Sequence, residues 1–225
     1  MKLTKLPLVA ALSLLVLSSN AWAQSTKRLI DEVNPFIGTS NFGTTNPGAV
    51  VPNGLMSITP FNVSGSPELN KFDKDKRWWS TPYTADNKFF SGFSHVNLSG
   101  VGCPELGSII VSASAGDLDV DYTHYGSAMS QEKAHPGYYS VQLDKHKIKA
   151  EVTATQRTAV SAFTFERGGK SNILVNLGLG LTNESGATVR FLNDSTIVGS
   201  KLMGTFCYAP QAVFNQYFAI RISRR

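Results

Sequence analysis

The clearest pattern along the chain is two-residue alternation. In "IKAEVTAT" Ile148, Ala150, Val152 and Ala154 fall on one side, and Lys149, Glu151 and Thr153 on the other. That is the signature of a strand with one face buried and the other in water. "SAFTFE" continues it, interrupted at Ala162. The same kind of reading predicts strands over 55–59, 108–112, 118–122, 138–143, 148–155, 159–165, 171–177, 188–192, 196–201, 205–208 and 213–220. Turn-like stretches such as "ERGGK" and "NESGA" lie between them. Short strands at this spacing, with no βαβ rhythm, no long amphipathic helix and no internal repeat, predict an all-β, antiparallel β-sandwich. Pro60 is expected to end the first of these strands. Residues 27–34 are read as one turn of helix or an approach strand, stopped before Pro35.

Two stretches do not alternate. Residues 38–54 return repeatedly to glycine and proline, and 62–107 are irregular and polar up to "GFSHVNLSGVGCPELGS". Loops beyond roughly 12–15 residues are uncommon in a compact domain and are usually functional or disordered. These contain Trp, Phe and Tyr, which argues against disorder. They are expected to be ordered and to carry the function.

The first residues concern destination. Lys2 and Lys5 precede the apolar run Leu6–Leu17, and Ala21-Trp22-Ala23 follows. This reads as a signal peptide over 1–23, cleaved before Gln24, because a membrane span needs roughly 20 apolar residues. The formal charge of +5 is modest, and the basic run Lys71–Arg77 is interrupted by Asp73 and Asp75. No basic stripe favours nucleic acid. Cys103 and Cys207 are the only cysteines. They permit one disulfide, but two separately buried thiols are the expectation, since cysteine is often an inert core residue.

Candidate chemistry gathers in the loops. His95 and Asn97 share a side if 92–98 is extended, and Cys103 and Glu105 repeat that spacing. His95, Cys103 and Glu105 have ligand types that zinc accepts, without the tight spacings of a zinc site. Cys103 with His95 or His135 matches no nucleophile signature, and a structural histidine is the plainer reading. Among carboxylates, Asp117, Asp119 and Asp121 alternate along a predicted strand and read as its solvated face. Trp78 and Trp79 sit in a polar loop, and an indole offers a flat apolar platform suited to the C–H face of a pyranose. One is expected to anchor the loop and the other to be exposed.

Five co-linear segments carry a family resemblance: "VNPFIGT" (33–39), "NPGAVVPNGLMSITP" (46–60), "GFSHVNLSGVGCPELG" (92–107), "HPGYYSVQL" (135–143) and "IKAEVTATQRTAVSAFTF" (148–165). Together they resemble the N-terminal domain of the glycoside hydrolase family 92 exo-α-mannosidases. The resemblance implies a galactose-mutarotase-like supersandwich with long N-terminal loops over 24–225, in a secreted or periplasmic bacterial protein. It implies an inverting enzyme whose catalytic acid, base and Ca2+ ligands lie in a C-terminal (α/α)6 barrel absent from this chain, and an α-mannoside glycan as substrate. This chain alone is then expected to be inactive, with no metal site of its own, no nucleic-acid partner and no membrane span. Trp78, Trp79, His95, Asn97, Cys103 and Glu105 are the implied sugar-contacting residues. Asn46, Gly48, Asn53, Gly54, Gly100 and Gly102 belong to the implied inter-domain loops. Asn97 stands where many relatives have a second histidine, and Pro52-Asn53-Gly54-Leu55-Met56 where they have "PFGM". The competing expectations are a free-standing carbohydrate-binding module, which needs an exposed aromatic platform, and a structural sandwich, which two buried tryptophans would favour.

Overall fold

The computed structural model describes residues 28–64, 79–181, 185–204, 207 and 209–223. The expected leader, Trp78 and most of the strand expected at 205–208 lie outside the described residues. The chain divides at Glu32 into two units. In the first, Leu29–Glu32 is a 3-10 turn. The Asp31 N–H donates to the Arg28 carbonyl at 2.9 Å and the Arg28 guanidinium donates to the Asp31 carboxylate at 2.8 Å.

From Val33 onward the described elements are strands: β1 (Ala49–Val50), β2 (Ser57–Phe61), β3 (Phe89–Phe90), β4 (Gly92–Asn97), β5 (Leu106–Ala115), β6 (Ser127–His135), β7 (Tyr138–Leu143), β8 (Ile148–Ala154), β9 (Ala159–Phe165), β10 (Ser171–Asn176), β11 (Ser185–Asn193), β12 (Thr196–Met203) and β13 (Phe214–Arg221). They form one sheet in the order β1-β2-β4-β5-β10, a second in the order β3-β6-β7-β8-β9, and a three-stranded sheet β11-β12-β13. Every pairing is antiparallel.

The alternation in β8 has its expected consequence: Ile148, Ala150, Val152 and Ala154 are buried while Lys149 and Thr153 are exposed. Those four pack with Tyr139, Val141 and Leu143 of β7 against Ile58, Phe93 and Ala113 of the first sheet. This is the sandwich core, and burying each of its Ile, Leu, Val and Phe side chains contributes about 1.5–3 kcal/mol. A second apolar cluster, Phe61, Val63, Trp79 and Ile110, carries the loop at 79–88.

Three expectations are corrected. Residues 118–122 form no strand, because the Asp119 carboxylate accepts the Asp121 N–H at 2.9 Å, and the Asp121 carboxylate accepts the Thr123 N–H at 2.9 Å and hydroxyl at 2.6 Å. Short acidic side chains here hydrogen-bond the backbone in place of a neighbouring strand, so the three aspartates share no strand face. Pro60 does not stop β2. It pairs with Phe93 of β4, while β1 reaches only Ser57 and Ile58, so no ladder bond on that side needs the missing N–H. Conversely β6 was not expected. Its pairing with β7 slips between Ser130 and Lys133, and Gln131 has φ 51°. This bulge shifts the phase of burial along β6 by one residue and turns Glu132 inward.

One glycine sets the close approach of β4 to β5. Gly92 has φ +148°, and a Cβ there would lie 2.3 Å from the Ile110 side chain. Only glycine fits that point without moving the core.

Candidate functional site

Three loops meet at the backbone of Gly100. Its N–H donates to the Thr44 carbonyl at 2.7 Å, and its own carbonyl accepts the Ser80 hydroxyl at 3.3 Å. The loops at 38–48, 79–86 and 98–105 are thereby joined; residues 65–78 of the expected ordered loop lie outside the described residues. The Asn41 N–H adds a bond to the Asp86 carboxylate at 3.2 Å.

The loop at 79–88 is held by buried polar side chains that the sequence did not single out. Asn62 donates to the Thr84 and Asn87 carbonyls, both at 2.8 Å, and its own side-chain oxygen accepts the Thr84 N–H at 2.8 Å. Asn87 returns a bond to the Asn62 carbonyl at 3.2 Å. These bonds offset the cost of burying the two amides, although the Asn87 side-chain oxygen has no partner among the described residues. The available signal was Asn62 following directly on an apolar strand, which is weak.

Trp79 is buried, at 8% exposure, in the cluster with Phe61 and Ile110. It is the anchoring tryptophan; Trp78 lies outside the described residues. Among the described residues the exposed ring in this place is Phe42, which stacks on Trp79 with centroids 6.2 Å apart and planes 21° from parallel. Phe42 is 69% exposed and has φ 64°. A bulky residue with positive φ is uncommon and strained, yet here the strain sets an apolar ring on the outside of the loop junction. The sequence reading missed Phe42, although an aromatic residue within "SNFGTTN" was the signal. Ile37, just before the first loop, and Leu98 and Val101 of the third are further exposed apolar side chains.

His95 is half-buried on β4. Its Nδ1 lies 2.7 Å from the Ile109 carbonyl. A carbonyl only accepts, so Nδ1 carries the proton and Nε2 is left as an acceptor. Burial pushes the imidazole below its ordinary value, and the hydrogen bond to Ile109 opposes this in part. Folding thus keeps a proton off His95, and the unfolded chain binds it more tightly. The resulting stabilisation is complete above the ordinary value of about 6.5 and is lost as pH falls toward the lower folded value. In an NMR titration of the histidine ring protons, His95 is expected to titrate below 6.5; a midpoint at or above that value would mean a solvated ring.

Asn97 is occupied by its neighbours. Its side chain accepts the Ser94 hydroxyl at 2.7 Å and donates to the Ser94 carbonyl at 3.1 Å, and its N–H donates to the Ser57 hydroxyl at 2.7 Å. Cys103 is bonded to Cys207, with Cα atoms 5.3 Å apart. The expectation of two separate buried thiols is therefore corrected, and Cys207 is exposed. Glu105 is 2% exposed; one carboxylate oxygen accepts the Leu106 N–H at 3.3 Å and the other has no partner among the described residues.

The glycine-loop residues separate into groups. Gly100 is the junction itself. Asn46 accepts the Gly48 N–H at 3.3 Å, and Gly48 lies against β2, where a Cβ would come within 2.4 Å of the Ile58 carbonyl. Asn53 and Gly54 form a turn fastened elsewhere, the Leu55 N–H donating to the Gln156 carbonyl at 2.9 Å. Gly102 has open space around it. Among the described residues, no three His, Cys, Asp or Glu side chains gather as metal ligands.

The family model described as the glycosyl hydrolase family 92 N-terminal domain matches residues 32–225. A solved family GH92 α-mannosidase from Bacteroides thetaiotaomicron, in complex with mannoimidazole, superposes with a TM-score of 0.73 and 29% identity, over 86% of this chain and 25% of that one. A second structure of the family GH92 α-mannosidase from Bacteroides thetaiotaomicron gives a TM-score of 0.73 and 29% identity over 86% of this chain and 26% of that one. An uncharacterized secreted glycosidase of Arthroderma benhamiae is 29% identical over 178 residues, which are 73% of this chain and 21% of that protein. The chain thus spans about a quarter of the length of these relatives or less. Among the described residues no helix is long and apolar enough to cross a membrane.

Proposed function

Because the chain belongs to the glycosyl hydrolase family 92 N-terminal domain family, we propose that it is the β-sandwich portion of a secreted, inverting exo-α-mannosidase that removes terminal α-linked mannose, chiefly α-1,2-linked. The observation that carries this reading is the family match over residues 32–225, which takes in all three loops of the junction. Residues 1–23 act as the leader that delivers the protein to the periplasm or beyond. In the full-length arrangement the catalytic acid and base come from the helical barrel that this chain does not span. For inversion they stand about 6.5–9.5 Å apart with a water between them. The sandwich contributes one wall of the pocket and the contact with the barrel.

The wall is assigned to the Gly100 junction. Phe42 presents an apolar ring to the C–H face of a sugar, backed by buried Trp79. His95 offers Nε2 to a hydroxyl, and Asn97 holds β4 in place from within. Glu105 and the Cys103–Cys207 bond shape the far side of the loop. The Ca2+ of the family does not fit the described residues. Asp119 and Asp121 bond within their own turn and Asp117 to Lys170 at 2.7 Å, so the ion is assigned to the barrel.

The test is mannose release from α-1,2-linked mannobiose by the purified chain, followed by proton NMR, with saturation-transfer contacts to methyl α-mannoside and methyl α-galactoside measured in parallel. No release and a preference for the mannoside are expected. Hydrolysis by this chain that disappears on substituting one of its own residues would overturn the reading, as would equal contacts with both sugars.

A further inference from the structure

The bulge in β6 places a carboxylate where an apolar side chain would serve the core as well. Glu132 is turned inward by the register slip, and its side chain is 11% exposed. Bulges re-aim single side chains and are over-represented beside functional sites. Of the groups that donate to Glu132, Tyr139 lies on β7, but Tyr83 and Lys88 both belong to the loop at 79–88. The carboxylate thus grips that loop at two points.

The residues that follow Tyr83 hold a strained turn in the neighbouring loop. The Thr84 hydroxyl and the Ala85 N–H both donate to the Thr39 carbonyl, at 3.3 and 2.7 Å, and the Asp86 carboxylate accepts the Asn41 N–H at 3.2 Å. Thr39 is itself buried. Just beyond it, Asn41 and Phe42 have φ 51° and 64° in succession. Asparagine visits that region readily and phenylalanine does not, and strain of this kind persists only where the surroundings over-determine it. The turn's own bond, from the Gly43 N–H to the Ser40 carbonyl at 2.8 Å, spans the two residues without fixing them to the domain. The bonds from 84–86 supply that attachment.

We propose that Glu132 is a positioning residue for the Phe42 ring. From inside the core it holds Tyr83 and Lys88, these set the backbone at 84–86, and that backbone holds the turn which lays Phe42 over Trp79. The importance of the ring rests on the sugar-facing wall proposed above, whereas its placement is a matter of geometry alone. A second role for Glu132, as an acceptor that stabilises the core, can be separated from this one. Tyr83 and Tyr139 are both fully buried and donate to the same Glu132 oxygen, yet only Tyr83 lies in the loop. Asn62 also holds Thr84 and Asn87, so removing the Tyr83 hydroxyl loosens the segment without releasing it.

The experiment compares Tyr83→Phe with Tyr139→Phe by NMR of the purified, isotope-labelled chain. Both are expected to lower the thermal midpoint alike, because each removes one hydroxyl from the same oxygen. Only Tyr83→Phe is expected to speed exchange of the Asn41 amide, by ~10-fold, about the loss of one hydrogen bond, and to abolish the cross-peak between the Phe42 and Trp79 rings. Lys88→Met removes the other grip from a partly exposed side chain and is expected to act in the same direction. Ring contact and exchange that stay unchanged in Tyr83→Phe and Lys88→Met, or that change equally in Tyr139→Phe, overturn the proposal, since Glu132 would then only stabilise the core. Saturation-transfer contacts to methyl α-mannoside are recorded on the same samples, and are expected to fall with Tyr83→Phe and persist with Tyr139→Phe. Rings that respond as expected in a chain with no mannoside contact would support the positioning role and overturn the sugar reading.

Discussion

Glu132→Ala is expected to lower the unfolding free energy by ~3 kcal/mol and the thermal midpoint by roughly 6–12 °C. The Tyr83 and Tyr139 hydroxyls both donate to one Glu132 oxygen, at 2.8 and 2.9 Å, and the Lys88 ammonium donates to the other at 3.0 Å. Tyr83 and Tyr139 are fully buried. Removing the carboxylate therefore leaves two phenolic donors without an acceptor, each costing about 1–3 kcal/mol. Glu132→Gln keeps an acceptor oxygen and loses the charge, and about half the effect is expected of it. An effect of Glu132→Ala below ~0.5 kcal/mol, the size of an ordinary surface change, would contradict this account.

The same cluster fixes how the protein responds to alkali. Burial, then the charge of Glu132 and the bond to it, push the Tyr83 hydroxyl well above its usual range. Burial, the charge of Glu132 and the neighbouring Tyr83 do the same for Tyr139. The folded state holds these protons more tightly than the unfolded chain. Their contribution is therefore complete below the ordinary tyrosine value of 10.0 and is lost as pH rises above it. In a titration at the tyrosinate absorbance band, the two rings should ionise only within the unfolding transition. In Glu132→Ala that transition moves to lower pH.

The Glu132 cluster also marks the boundary of what the sequence discloses. β8 could be placed from four apolar residues at a period of two, because burial on one face of a paired strand enforces that period directly. β6 could not, since the bulge at Gln131 puts Glu132 out of step and shifts the phase of burial partway along the strand. The acidic turn failed in the opposite direction: Asp117, Asp119 and Asp121 have a strand's period, but their carboxylates bond the local backbone, and periodicity alone does not report that competition. At the loop junction the glycines and aromatics told that something ordered lay there. They did not tell which ring faces out, because that depends on the backbone of Phe42 and on Trp79 finding Phe61 and Ile110. Nor did they disclose the partners of Asn97, whose bonds run to Ser57, forty positions away in the chain.

Loss of the Cys103–Cys207 bond is expected to cost ~4 kcal/mol, and to lower the thermal midpoint by roughly 8–16 °C, in the double variant Cys103→Ser/Cys207→Ser. The bond spans a sequence separation of 104. On the chain-entropy account a closure of that length restricts the unfolded state by about 4.7 kcal/mol. It matters locally because it ties the glycine-rich loop, at Cys103, to the β12–β13 connection at Cys207. Without it the Gly100 junction keeps single bonds to Thr44 and Ser80, and amide exchange should rise first at 98–105, ahead of β7 and β8. Calorimetry of the oxidised chain, the reduced chain and the double variant measures the effect. Three midpoints that coincide would mean that the two segments hold their places independently of the bond. A disulfide of this kind persists in an oxidising compartment, the destination to which the proposed leader would carry it, so the stability of the candidate sugar-facing loop and the export of the protein become a single requirement.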